Sequence, residues 1–193
     1  LYTAIFGTLL GIVVALLRMS RVKVLKVLAG AYIEFLRGTP LLVQVLIVFY
    51  GLPQLGIKLP RMTAGTVALV INSAAYMAEI VRSGIQAIDG GQTEASRSLG
   101  MNGVQTMVYI ILPQAIKNIL PAIGNEFVSI IKESSILYTI GIYELTYQAN
   151  KLASTNFRYL ETLTISALIY FVLTFTASRL LGMLERRMRR GDR

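Results

Sequence analysis

Long uncharged stretches alternate with short charged ones along the chain. The apolar runs are 1–17, 38–57, 62–81 (interrupted only by Glu79), 114–132 and 162–178. A bilayer-spanning helix needs about 20 mostly apolar residues. The pattern therefore predicts five spans in an all-α membrane protein with one domain over 1–193. The first run opens at residue 1 with no basic leader or cleavage site, so the sequence is expected to begin partway through a span or after a removed start. Gly7 and Gly11 form a small-residue pair at helical spacing, an expected contact face for another helix. Residues 18–37 read as an amphipathic connection. Pro40 at the start of the second run, and Gly51, Pro53 and Gly56 near its end, shorten its regular helix. Lys117, Pro121 and Glu126 interrupt the fourth run, which is short. The segment 89–112 is polar and turn-rich, and 133–161 reads as a mixed loop.

Composition strengthens the membrane reading. Hydrophobic residues make up 54% and charged residues 15%, with a mean hydropathy of +0.62, whereas soluble domains carry about a quarter charged residues. The net charge of +9 would suggest nucleic acid in a soluble protein. In a membrane protein it marks cytoplasmic loops and headgroup contact, and no nucleic-acid partner is expected. Counting Lys and Arg by loop puts fourteen in 18–37, 82–117 and the tail, against five in 58–61 and 132–158. Excess positive charge stays inside. The amino end is thus expected outside and the carboxyl end in the cytoplasm, with Arg186, Arg187, Arg189 and Arg190 anchoring the last helix at anionic headgroups. Tyr50, Tyr109 and Tyr159 fall near span ends, as interfacial belts do.

Missing residue types exclude whole chemistries. The chain has no Cys and no His, which removes disulfides, thiolate nucleophiles, a Ser-His-Asp triad and His- or Cys-bound metal. No Lys precedes Ser or Thr and no two Gly stand two apart. Neither a phosphate-binding loop nor a dinucleotide fingerprint is available. No catalytic residue, metal or cofactor is therefore expected in this chain.

The polar segment after the third run reads Asp89-Gly-Gly-Gln-Thr-Glu-Ala-Ser-Arg-Ser-Leu-Gly100. Thr93 is the expected N-cap of a two-turn helix, Glu94 sits in its first turn where the dipole favours an anion, and Gly100 is placed for a left-handed stop. A helix that short is marginal alone in water and makes sense docked against something.

Glu94-Ala95-Ser96, then Gly100 six residues on, then Ile110-Ile111-Leu112-Pro113 ten residues later, resembles the EAA…G…I-LP signature of permease subunits of ATP-binding-cassette (ABC) importers. Ser96 stands where the signature has a second Ala, a small-for-small change. Three further blocks, 34–44, 72–82 and 125–135, resemble the polar amino-acid branch of that family, the histidine/glutamine/arginine type. The resemblance implies a type I importer permease fold and a homodimer forming the path. It further implies an ATPase subunit dimer beneath, which binds ATP and Mg, and an extracytoplasmic amino-acid-binding protein in a prokaryotic inner membrane. It assigns the loop 89–113 to coupling, with Thr93, Glu94, Ala95, Ser96, Arg97, Ser98, Leu99, Gly100 and Met101 as the segment an ATPase grips.

Ionisable groups inside spans are costly and face a cavity or a partner. Glu79 lies three residues before Arg82, on the same helix face; it either lines the path for a substrate ammonium or forms an internal ion pair with Arg82. Glu161 borders the last span as a mouth residue or a headgroup marker, and Glu126 lines a cavity or pairs across helices. Asn72 and Tyr76, four apart, either bond a substrate or bond another helix, and Gln44 and Ser129 fall in the same class. The breaks at Pro40 and Pro121 either expose amides to a carboxylate or kink for packing. Several acids on the path favour a cationic amino acid. A secondary transporter driven by an ion gradient and a structural subunit without a path remain as rivals; ATP dependence of uptake separates them.

Overall fold

The computed structural model describes residues 2–190, with side chains as far as residue 186. Among the described residues the regular structure is helical throughout, with no strand. The chain runs α1 (Tyr2–Arg18), α2 (Lys23–Gly38), α3 (Leu41–Leu46), α4 (Arg61–Gln86), α5 (Gly90–Ser98), α6 (Gly103–Gln105), α7 (Leu112–Glu133), α8 (Leu145–Asn156) and α9 (Tyr159–Arg190).

Small residues set the central packing. A Cβ on Gly7 would stand 2.9 Å from Ser73 Oγ of α4, and one on Gly11 would stand 2.9 Å from the Ala74 carbonyl oxygen. Ala15, Ala74, Ala75 and Ala78 are fully buried. Without side chains to hold them apart, α1 and α4 approach backbone to backbone. That is how membrane helices gain dispersion contacts when lipid supplies no hydrophobic drive. The glycine pair read from the sequence is this contact face. Around it, Val14, Ala29, Ile33, Val81, Ala115 and Ile119 form one core cluster; Val45, Ala68, Leu69, Leu137, Ile140 and Ile142 form a second toward the opposite end of α4.

Each apolar run coincides over most of its described length with helix, but the limits differ from the expectation. Among the described residues three helices rather than five are long and apolar enough to cross a bilayer by themselves, α4, Gly103–Ile140 and Tyr159–Arg186; the bent pair Lys23–Gly38 and Leu41–Leu55 makes a fourth if taken as one span, and α1, at 17 residues, is shorter. The second run is a broken element. The segment 18–37, read as a connection, contains α2, whose Ala29, Gly30, Ile33 and Leu36 are buried. At Gly38–Pro40 the axis turns by 107° into Leu41–Leu55. Pro40 causes the break: it has no N–H to donate, and its ring pushes the preceding residue into extended backbone, as Thr39 shows with ψ 147°.

The fourth run is longer than expected because its prolines do not end it. Pro113 lies inside the continuous helix Gly103–Ile140, directly after a π-helical stretch, Thr106–Ile111; local π adjustments of this kind let a membrane helix tolerate a proline. Pro121 lies inside α7 without interrupting it. The segment 133–161 is also more ordered than a mixed loop, with a 3-10 stretch at Ser134–Ile140 followed by α8. Glu144 caps α8 by accepting from Thr146 N at 2.8 Å and Tyr147 N at 2.6 Å, and the Tyr170 hydroxyl of α9 donates to it at 2.8 Å. α9 buries only Ser166 among its described side chains and leaves Ile165, Leu168, Phe171 and Val172 exposed, as a helix facing lipid or another subunit would. The side chains of Arg187, Arg189 and Arg190 lie outside the described residues, as does Leu1 of the first run.

Candidate coupling helix and span polar groups

The polar segment after α4 folds into α5 with both ends closed. Its N-cap is Asp89, whose carboxylate accepts from Gly91 N at 2.6 Å. Thr93, expected to cap it, is one turn inside the helix. The correction is physical: Asp outranks Thr as a cap, and Gly90 and Gly91, which read as helix breakers, form the first turn. At the far end Gly100 adopts φ +83°. Gly100 N donates to Arg97 O at 3.0 Å and Met101 N to Ser96 O at 3.1 Å, a left-handed stop of the kind the glycine predicted.

α5 touches the body of the protein through one buried side chain, Ser96, and through the exposed Gln92, whose Oε1 accepts from Gln114 Nε2 of α7 at 3.4 Å. Ser96 is 3% exposed while every other residue of α5 is exposed. Its hydroxyl donates to Thr93 O at 2.9 Å and is hydrogen-bonded to the Thr106 hydroxyl at 3.0 Å, and Thr106 is equally buried. Thr106 opens the π-helical stretch that runs into α7. The link from α5 to α7 is short and is closed further by a capping box in which Asn102 accepts from Gln105 N at 3.0 Å and Gln105 Oε1 accepts from Asn102 N at 2.8 Å. α5 is thus joined to the helix that contains α7 at two points, Ser96–Thr106 and Gln92–Gln114. Leu99 stands 84% exposed next to this helix, an apolar side chain with nothing of its own chain to cover it. Sequence spacing identified the segment but not the Ser96–Thr106 bond, since nothing in a sequence pairs two hydroxyls ten residues apart.

Polar groups inside the spans sort into separate sets. Gln44 and Asn72 belong together. Gln44 Nε2 donates to Leu36 O at 2.8 Å and to Thr39 Oγ1 at 2.9 Å, and Asn72 Nδ2 donates to Gln44 Oε1 at 3.0 Å. The two amides satisfy the carbonyl groups that α2 leaves open at its break, a requirement for irregular backbone at membrane depth. Tyr76 and Glu79 form a second set through Arg37, whose guanidinium lies 5.4 Å from the Tyr76 ring centroid and 3.9 Å from Glu79 Oε1. Glu79 also receives Arg82 Nε at 2.9 Å and Nη2 at 2.5 Å. Arg37 was not singled out in the sequence, where it reads as one more basic residue of a connection.

Glu126 and Glu161 join neither set. Glu126, on α7, is 9% exposed and its Oε1 makes no hydrogen bond among the described residues; the same is true of Ser73 Oγ on α4. Glu161 pairs with Arg158 at 3.0 Å on an exposed surface. The structure thus brings Gln44 to Asn72 and Tyr76 to Glu79, and leaves Glu126 and Glu161 apart from both. Among the described residues no group of acidic side chains could hold a metal ion.

The comparisons with known proteins agree with this architecture. Residues 7–190 match the family model "binding-protein-dependent transport system inner membrane component". A probable amino-acid permease protein, YxeN of Bacillus subtilis, is 43% identical over 187 residues, covering 95% of this chain and 84% of the relative. The arginine transport system permease protein ArtQ of the same organism is 42% identical, covering 98% and 87%. Among solved structures, the crystal structure of an amino acid ABC transporter with histidines superposes with a TM-score of 0.93 at 54% identity, covering 96% of this chain and 87% of that one. An inward-facing MetNI methionine ABC transporter superposes at 0.68 with 17% identity and shares the fold. The chain belongs to the family of binding-protein-dependent transport system inner membrane components.

Proposed function

We propose that two copies of this chain form the membrane path of an ABC importer for polar, cationic amino acids. In this reading the chain spans the inner membrane with its carboxyl end in the cytoplasm and has no ATP site of its own. A separate ATPase dimer, which binds ATP and Mg, grips α5 and Gly100, and an extracytoplasmic binding protein delivers the substrate. Closure of the ATPase dimer moves α5. The Ser96–Thr106 bond carries that movement into α7, and the path opens alternately to the two sides.

The observation that carries the reading is α5 itself: a helix closed at both ends, exposed on every residue but Ser96, and bonded through Ser96 and Gln92 to a spanning helix. Family membership and relatives named for arginine and glutamine transport support the amino-acid substrate. The acids Glu79, Glu126 and Glu161 favour a cationic side chain, and the oxygen of Glu126 that makes no hydrogen bond is a buried one. The uncovered apolar faces of α1 and α9 suit a homodimer, whose two-fold axis would enclose a path that one copy cannot.

The test is uptake into proteoliposomes holding this permease and its ATPase subunit, with the extracytoplasmic binding protein supplied on the substrate side. ATP-dependent accumulation of labelled arginine, displaced by lysine and histidine in preference to glutamate, is the expected result. Uptake that needs an ion gradient and ignores ATP would refute the importer reading, and preferential displacement by glutamate would refute the cationic preference.

A further inference from the structure

A cavity of about 320 Å³ opens at the end of the bundle next to α5, lined by Arg18, Met19, Lys26, Arg82 and Gln86. Three of its five lining residues are cationic and none is acidic. We propose that this cavity binds the phosphate of an anionic phospholipid headgroup from the leaflet that faces the ATPase. Its assignment to the inner leaflet rests on the orientation given under Proposed function.

The cavity is built rather than incidental. Arg18 ends the apolar run of α1, and its guanidinium lies across Gly30 of α2 in the space a side chain would fill: a Cβ there would collide with Arg18 Nη1. Nη1 donates to Lys26 O at 3.2 Å and Nη2 to Glu34 Oε1 at 3.3 Å. From α4, Arg82 bonds Gln86 and Glu79. Arginine side chains of two helices are thus held in place beside Lys26, which has no acidic partner among the described residues. Charge is left over: Arg18, Lys26, Arg37 and Arg82 meet two carboxylates, Glu34 and Glu79. A phosphate offers the missing negative charge and accepts several N–H groups at once.

The surroundings choose a lipid over a free anion. Leu16 and Leu17 of α1, and Val22, Leu25 and Val27 at the start of α2, are exposed beside the cavity. They adjoin the lining residues Arg18 and Lys26 along the chain and offer apolar surface to acyl chains. Basic pockets between membrane helices on this side are where acidic headgroups lodge.

Native mass spectrometry of the permease released from nanodiscs of phosphatidylglycerol and phosphatidylcholine, with and without cardiolipin, tests the proposal without requiring transport. The primary variant is Lys26→Gln, an exposed position that leaves the arginine contacts intact; Lys23→Gln is the control with the same charge loss outside the cavity. Retention of phosphatidylglycerol or cardiolipin over phosphatidylcholine is expected, falling about five-fold in Lys26→Gln and staying unchanged in Lys23→Gln. Equal losses in both variants, or no loss in either, would overturn the proposal. Displacement of the lipid by millimolar inorganic phosphate would show a soluble-anion site and overturn the lipid assignment. Unchanged lipid retention with weakened ATPase binding would make the cavity a protein contact. Each of these readings stands whether or not arginine uptake is observed.

Discussion

Gly100 is where a single atom tests the coupling helix. Its φ of +83° lies in the left-handed region, where an L-residue with a Cβ costs about 1–2 kcal/mol. A Cβ built there meets nothing within 4 Å. Gly100→Ala therefore adds backbone strain and no clash, and its whole effect falls on the bonds that close α5, Gly100 N to Arg97 O and Met101 N to Ser96 O. Strain of that size lowers the ratio of closed to frayed helix about 5–30-fold. Gly103→Ala is the matched control, since Gly103 is also uncrowded but has no positive φ, and the change is expected to be neutral or slightly stabilising. Gly100→Asn, which tolerates the left-handed region better than other side chains do, should fall between. The assay is the number of substrate molecules taken up per ATP hydrolysed in proteoliposomes. Gly100→Ala should lower this ratio while substrate binding by the complex is retained, with the order Gly103→Ala, Gly100→Asn, Gly100→Ala. A Gly100→Ala variant that couples as well as the parent would refute the role given to α5.

Two further outcomes follow from the packing. Gly11→Val places a side chain into Met77 and the Ala74 carbonyl, so it should lower the melting temperature of the detergent-solubilised protein by an amount matching about 1–3 kcal/mol of overpacking, whereas the uncrowded Gly182→Ala should not. Replacing Gln44 and Asn72 by Leu singly should each leave polar groups stranded at the α2 break, at about 1–3 kcal/mol apiece; because the amides bond each other, the double variant should lose less than the two singles together, as measured by a double-mutant cycle in thermal unfolding.

The sequence made the apolar helices and the loop helix legible, though not the number of spans, because both are written in local patterns. A run of apolar residues, a glycine at the end of a short helix and a small-residue pair four apart each act over a turn or two. The limits that went astray were those set by tertiary context. α2 reads as an amphipathic connection, yet Ala29, Gly30, Ile33 and Leu36 pack into the core. Pro121 reads as an interruption, but α7 continues through it. Thr93 reads as the cap until Asp89 is seen to reach Gly91 first. In the spans, residue type marked which side chains matter without saying to whom: Gln44 and Asn72 serve the broken helix, and Glu79 is held by Arg82 and Arg37. Those partnerships join residues far apart in the chain, or bend a helix to make room, and no periodicity encodes them.

The most direct test of the central claim, that a separate ATPase holds α5, uses the absence of cysteine from the chain. A single cysteine at Leu99, which is 84% exposed, should react rapidly with a membrane-impermeant maleimide in the permease alone. It should become protected when the ATPase subunit is added, with a cysteine at Leu160, also exposed at 80% but at the opposite end of the bundle, reacting equally in both cases. Equal labelling of the Leu99 site with and without a bound ATPase would contradict the claim.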